Sequence, residues 1–354
     1  MQMADSVTGC VLLSLCLLSG GVDAGITEFQ AGITTVARPS GITAGPDGNV
    51  WFTELNGNRI GRITPQGVIT EFTTGLSVNA FPFDIAAGPD GNLWFTEQVG
   101  NRIGRITPQG IVTEFSAGIT AGAQPYGITA GPDGNLWFTE VGGNRIGRIT
   151  PSGVVTEFSV GINPNGQPYT ITTGPDGNLW FAEYLGNAIG RITPAGVVTE
   201  FTAGITASAG PVGITAGPPG DGNLWFTEQV GNRIGRITPQ GIVTEFSAGI
   251  SAGGNPFGIT AGPDGNLWFV EAVGITVARI TPSGVVTEFS TLTAGANPFF
   301  IAAGPDGNLW FTEFGGDRIG RIVLHALLVS AASRKVHGAA GTFDLPLQLP
   351  QPPP

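Results

Sequence analysis

The chain of 354 residues contains only two cysteines and two histidines, and none of the four lies in its repeated part. Cys10 and Cys16 precede the first repeat, so the repeats hold no thiol, no disulfide and no cysteine metal site. His325 and His337 follow the last repeat; nothing places them near another reactive group, and both read as solvated tail residues. Positive charge is also scarce: 15 Lys and Arg against 26 Asp and Glu leave a net charge of -11. This argues against nucleic acid as a partner, because its binding needs a basic surface to displace counterions. The apolar run from Val11 to Leu18 is too short to span a bilayer.

That run resembles the h-region of a secretory signal, with Val22-Asp23-Ala24 as a small-residue cleavage site, although no Lys or Arg precedes it. Residues 1–24 are therefore expected to be a signal peptide. The protein is expected to be secreted or periplasmic, without a membrane span, and to act as a monomer.

Glycine (58) and proline (27) are abundant. In an aperiodic chain this would point to disorder. Here both recur at fixed places in a period that also carries Trp, Phe, Ile and Val, so they read as turn chemistry. The period is marked by the phrase GPDGNLWFTE at 131–140, and its tryptophan recurs at Trp51, Trp94, Trp137, Trp180, Trp225, Trp268 and Trp310. The spacings are 43, 43, 43, 45, 43 and 42 residues, a period typical of propellers and solenoids.

Each repeat reads as four short strands. In the third, these are Pro125–Gly131, Leu136–Glu140, Arg145–Thr150 and Val154–Phe158. Pro132-Asp133-Gly134-Asn135 makes a tight turn in which Pro fixes φ, Asp bonds back to the backbone and Gly takes positive φ. No apolar period of 3.6 residues is present, which excludes a helical solenoid. Four antiparallel strands per period of about 43 residues predict a propeller blade. The last repeat lacks its TPxGxVTEF strand, and the missing phrase stands at the other end as Ile26-Thr27-Glu28-Phe29. The fold class expected is all-β: a seven-bladed propeller over 25–322, closed by its N-terminal strand. An Ala- and Pro-rich, disordered tail is expected over 323–354.

The repeat accounts for nearly every charge. Fourteen glutamates divide into seven of the WFTE type and seven of the TEF type, and twelve of the fifteen basic residues belong to NRIGR. In a propeller the first strand lines the channel, and the residue after its leading proline should reach one mouth. These residues are Ser40, Phe83, Tyr126, Tyr169, Val212, Phe257 and Phe299. The WFTE glutamates are Glu54, Glu97, Glu140, Glu183, Glu228, Glu271 and Glu313, and they are expected near the same mouth. An aromatic mouth with carboxylates suits a small molecule or a peptide. The plain role of each glutamate is an ion pair with the Arg that opens the third strand. Blades 4 and 6 have Ala188 and Thr276 there, so Glu183 and Glu271 are candidate cation ligands or bases.

GPDGNLWFTExxGNRIGRITPxGxVTEF resembles the virginiamycin B (streptogramin B) lyase family over about residues 25–322. The resemblance implies a seven-bladed propeller that opens the lactone of a cyclic depsipeptide antibiotic by elimination, using a bound magnesium ion (Mg2+). It implies a base histidine after the leading proline of the last repeat, a second histidine one repeat earlier and a tyrosine in the first. Those positions hold Phe299, Phe257 and Ser40. Of the implied magnesium ligands, a glutamate before the last leading proline is Asn297, and one near the end of the last WF strand survives as Glu313. Phenylalanine accepts no proton at any pH, and general-base catalysis contributes roughly 10²–10⁴-fold. Residues 90–119 and 221–250 are identical, which suggests recent copying of blades. Three functions are therefore weighed: ligand or partner binding at the mouth, an active carbon–oxygen lyase of this type with antibiotic resistance as its outcome, and a structural or surface-interaction protein.

Overall fold

The second strand of each blade opens with three consecutive apolar residues, as Leu136-Trp137-Phe138 does in blade 3, which suits a strand covered on both faces. In the computed structural model all five of its residues are buried in every blade. The structure describes residues 24–273, 275–290, 292–324, 336–338 and 341–343. Seven four-stranded antiparallel sheets stand in a ring, and the described residues contain no helix. The protein is a seven-bladed β-propeller.

Blade 3 shows the pattern. Its strands are Pro125–Ala130, Leu136–Glu140, Arg145–Ile149 and Val155–Phe158, hydrogen-bonded in that order. Side chains alternate across a strand, so Trp137 and Leu136 serve different interfaces. Trp137 packs with Ile171, Leu179 and Phe181 of blade 4, whereas Leu136 and Phe138 pack with Trp94 of blade 2. The core is thus a series of interblade layers, each with one fully buried Trp. At about 25 cal/mol per Å2, burying such a ring is worth roughly 4 kcal/mol, an upper bound for an extended unfolded chain. Gly147 lets Phe138 lie flat on the third strand, since a Cβ there would stand 2.1 Å from the ring.

The DGN aspartate is part of this architecture. Asp133 Oδ1 accepts the indole N–H of Trp137 at 3.0 Å, and Oδ2 lies 3.8 Å from Arg148. Arg148 in turn covers the Trp137 and Phe158 rings and donates to the Pro194 carbonyl of blade 4.

Closure follows the expected course. Ala24–Phe29 pairs antiparallel with Arg318–Leu324, from Ala24 opposite Leu324 to Phe29 opposite Ile319. Phe29 stacks on Trp310 at 5.6 Å, and the Thr293 N–H donates to Glu28 at 2.8 Å. The ring ends at Leu324, two residues beyond the expected boundary. The signal peptide expected over 1–24 lies outside the described residues but for Ala24. The tail expected over 323–354 does too, apart from Val323, Leu324 and an antiparallel pair of short strands, Val336–Gly338 and Gly341–Phe343.

Candidate functional site at the channel mouth

Each first strand begins with a bulge. Pro125 pairs with Glu140, the register then slips by one, and Ile128 pairs with Phe138; the same slip recurs in all seven blades. A bulge re-aims side chains out of the pleat, here the one that follows the leading proline. Thr139 locks it by accepting the Gly127 N–H at 2.9 Å and donating to the Tyr169 carbonyl of blade 4 at 2.5 Å. Gly127 is required by that approach, because a Cβ would stand 2.7 Å from the same carbonyl.

The bulges bring the predicted residues together. Phe83 meets Tyr126 at 3.9 Å, Tyr126 meets Tyr169 at 4.7 Å, and Phe257 stacks on Phe299 at 4.1 Å. Phe83 also meets Phe299 edge-on at 6.0 Å, which joins blades 2 and 7 across the mouth. Val212 packs with Phe257, and Ser40 is fully buried with no hydrogen-bonding partner for its Oγ. The rings therefore fill much of the mouth they were expected to line. Phe83, Tyr126 and Phe257 are buried, while Tyr169 and Phe299 keep partial exposure.

Three blades break the glycine of the bulge, at Asp84, Thr170 and Phe300. Thr170 donates to the Val212 carbonyl, the bond that Thr makes elsewhere from the second strand and that Ala182 of blade 4 cannot. Asp84 accepts the N–H groups of Ile85 at 2.9 Å and of Ile128 in blade 3 at 3.0 Å. Asp84 and Phe300 line a channel cavity of about 200 Å3, and burial pushes the Asp84 carboxyl up to about 7 despite those two bonds.

The WFTE glutamates do not share the mouth surface. All seven are fully buried. Each lies beside the TEF glutamate of its own blade, as Glu140 does beside Glu157. Arg145 approaches Glu140 at 3.8 Å, and the equivalent distances in blades 1, 2, 5 and 7 are 4.0, 3.1, 3.8 and 3.2 Å. Burial first, and the neighbouring carboxylate second, push Glu140 up to about 8 and Glu54 up to about 9. Glu157 is held below the usual range, against partial burial, by donation from Thr120 N and Oγ1. Two adjacent carboxyls can hydrogen-bond only if one keeps its proton. Around neutral pH the raised value favours the neutral form of the WFTE member, beside an ionised TEF carboxylate. Glu183 and Glu271 have no ion pair among the described residues, and no N–H or O–H donor reaches their oxygens. Both are pushed up to about 8 in the same way.

The open space lies at the rim of blade 7. One cavity of about 290 Å3 is bounded by Val36, Arg38, Asn297, Phe314, Gly315 and Asp317. A second, also about 290 Å3, is bounded by Ala272, Val273, Asn297, Phe299 and Phe314. Phe299 meets Phe314 at 5.1 Å. Arg38, Phe314, Tyr184 and Asp84 were not singled out from the sequence. Each is a departure from the repeat, and Arg38 is the ring's one basic residue outside NRIGR.

The sequence over 21–162, 85–252 and 162–332 matches the family described as the virginiamycin B lyase family. The chain belongs to that family. A streptogramin B lyase structure is 37% identical, covering 85% of this chain and 98% of its own, with a TM-score of 0.78. Virginiamycin B lyase from Staphylococcus aureus is 39% identical over 86% of this chain and 100% of its own, also at 0.78. A catalytically inactive histidine-to-alanine variant of the Staphylococcus aureus enzyme, solved with quinupristin, matches at 39% identity and 0.77, with the same coverage. No curated protein matches the chain.

Phe299, where the family resemblance implies a base, stacks on Phe257, where it implies a second histidine. Residues that would hold magnesium fit it poorly. The Glu313 carboxyl is buried, bonded to Arg318 at 3.2 Å and pushed up to about 8, and Asn297 offers a neutral amide. A hard dication is held by anionic oxygens, whereas Asn297 is neutral and the buried Glu313 carboxyl is already engaged by Arg318. Among the described residues no three His, Cys, Asp or Glu side chains gather as a ligand set.

Proposed function

We propose that this virginiamycin B lyase family member is a propeller that binds a small molecule or a peptide at its mouth without performing the family's elimination. The Phe257–Phe299 stack carries this reading. Proton abstraction needs a side chain that can accept a proton within hydrogen-bond reach, and the two positions at which the family resemblance implies histidines hold hydrocarbon rings 4.1 Å apart. The rim cavities keep Phe299 and Phe314 partly exposed beside Asn297, an apolar surface with a few polar groups, as ligand sites have.

The test is incubation of the purified chain with a streptogramin B, with and without Mg2+. Elimination yields a linear isomer of the same mass, so chromatography is the readout. The expected result is no linear product, together with a rise in melting temperature on adding the compound that does not depend on Mg2+. Magnesium-dependent turnover would overturn the proposal. The likeness to streptogramin B lyases at 37–39% identity favours a second reading, a carbon–oxygen lyase working through other residues. On that reading turnover occurs and Glu313→Gln abolishes it.

A further inference from the structure

Only three charged side chains within the ring stand outside the repeated phrases: Arg38, Asp84 and Asp317. Two of them meet. Asp317 replaces the asparagine that precedes the third strand in blades 1 to 5. In blade 2 that residue, Asn101, accepts the Gln124 N–H and donates to the Thr120 carbonyl, both at 3.0 Å. An aspartate cannot donate. Asp317 instead accepts two backbone N–H groups, from Val36 at 2.7 Å and Arg38 at 2.9 Å. Both residues have left-handed backbone, with φ of 62° and 53°. For Val36, which is β-branched, that conformation is costly. The two charge-assisted bonds hold it in place.

Arg38 is thereby fixed at the rim. Its guanidinium stands 5.1 Å over the Phe314 ring, and it makes no hydrogen bond or ion pair among the described residues. Elsewhere in the ring Arg145 meets two carboxylates and Arg148 meets a carboxylate and a carbonyl. Asp317 spends both oxygens on backbone N–H groups and does not pair with the guanidinium. The two cavities adjoin at Phe314 and Asn297, which line both, and taken together they make a trough beside the Phe314 ring. One end presents Arg38; the other is bounded by Ala272, Val273 and Phe299.

We propose that this trough binds an organic acid, with its carboxylate on Arg38 and its apolar body against Phe314 and Phe299. The inference rests on the reading of the mouth as a ligand site, and it names the ligand's chemistry. A planar fork of donors suits a carboxylate, and a single cation beside apolar walls suits one charge on a hydrophobic body.

The probe is 3-phenylpropionate, with 3-phenylpropionamide as its neutral match, titrated into the full chain by calorimetry. Arg38→Gln is the decisive variant. Gln124 and Gln167 occupy the same place in blades 3 and 4 with φ of 53° and 52°, so the backbone accepts the change. The acid should bind at least about ten-fold more tightly than the amide, the scale of a charge-assisted bond. Arg38→Gln should remove that difference and leave the amide unchanged, and Phe314→Leu should weaken both. Equal binding of acid and amide, or undiminished binding of the acid by Arg38→Gln, would overturn the proposal. If a streptogramin B raises the melting temperature and 3-phenylpropionate does not bind, the acid site is refuted and the mouth stands as a ligand site. If none of these compounds binds, both fall.

Discussion

Replacing Glu140 by glutamine should make the protein more stable in alkali and change little in acid. Burial and the neighbouring Glu157 push the Glu140 carboxyl up to about 8 from an ordinary value of 4.5, so it is expected to keep its proton between those two values. The folded state therefore holds a proton that the unfolded chain has lost over that window. Because the folded pKa is raised, its contribution is complete below pH 4.5 and is lost as the pH climbs through about 8. Each pH unit costs about 1.4 kcal/mol, so the full window costs at most about 5 kcal/mol in this blade. Relaxation of a buried pair lowers that figure, and about 2–3 kcal/mol is a realistic expectation at pH 9. Glutamine keeps a neutral donor for Glu157 and removes the proton requirement, while Arg145 retains Glu157, with its Nε 3.9 Å from Oε2. Denaturant unfolding of the parent and the variant at pH 5, 7 and 9 measures the effect. Stability should match within about 1 kcal/mol at pH 5 and favour the variant increasingly above pH 6. A difference independent of pH, or a variant weaker at pH 9 than at pH 5, would show that Glu140 does not keep that proton.

Two further outcomes test the frame itself. Deleting 24–29 removes the fourth strand of blade 7 and the Phe29–Trp310 stack, and should lower the melting temperature substantially. An unchanged melt in calorimetry would refute closure by this strand. Asp133→Ala removes the acceptor for Trp137 and Asn135 and the partner of Arg148, so it should cost about 1–3 kcal/mol in denaturant unfolding. An unchanged stability would refute a structural role for this carboxylate.

The propeller was legible because seven tryptophans, seven DGN turns and the displaced TEF strand each state the same number independently. The gathering of Phe83, Tyr126, Tyr169, Phe257 and Phe299 was legible too, since one position after each leading proline defines it. That these rings fill the mouth was not, because a repeat gives the direction of a side chain and says nothing of how far apart facing blades stand. The glutamates show a related limit. Their place opposite the leading proline follows from pattern, but their enclosure depends on loop glycines: a Cβ on Gly166 would stand 2.9 Å from the Glu183 carboxyl carbon. Arg38 and Phe314 were missed because they lie beside the two lists that defined the search, one position before a leading proline and one after a WFTE glutamate. Subtracting the repeat from the sequence would have exposed them.

The closing strand has a consequence for how the molecule is made. Ala24–Phe29 is synthesised before every other strand of the ring, yet its partner Arg318–Leu324 is the last of them. Blades 1 to 6 can each fold as they leave the ribosome, because their four strands are contiguous. Blade 7 cannot, and its edge strand waits unpaired through nearly the whole of translation. A chain that stops early therefore carries an orphan strand at its front and an open interface at its back, two features by which a cell's quality-control machinery could tell an unfinished ring from a finished one.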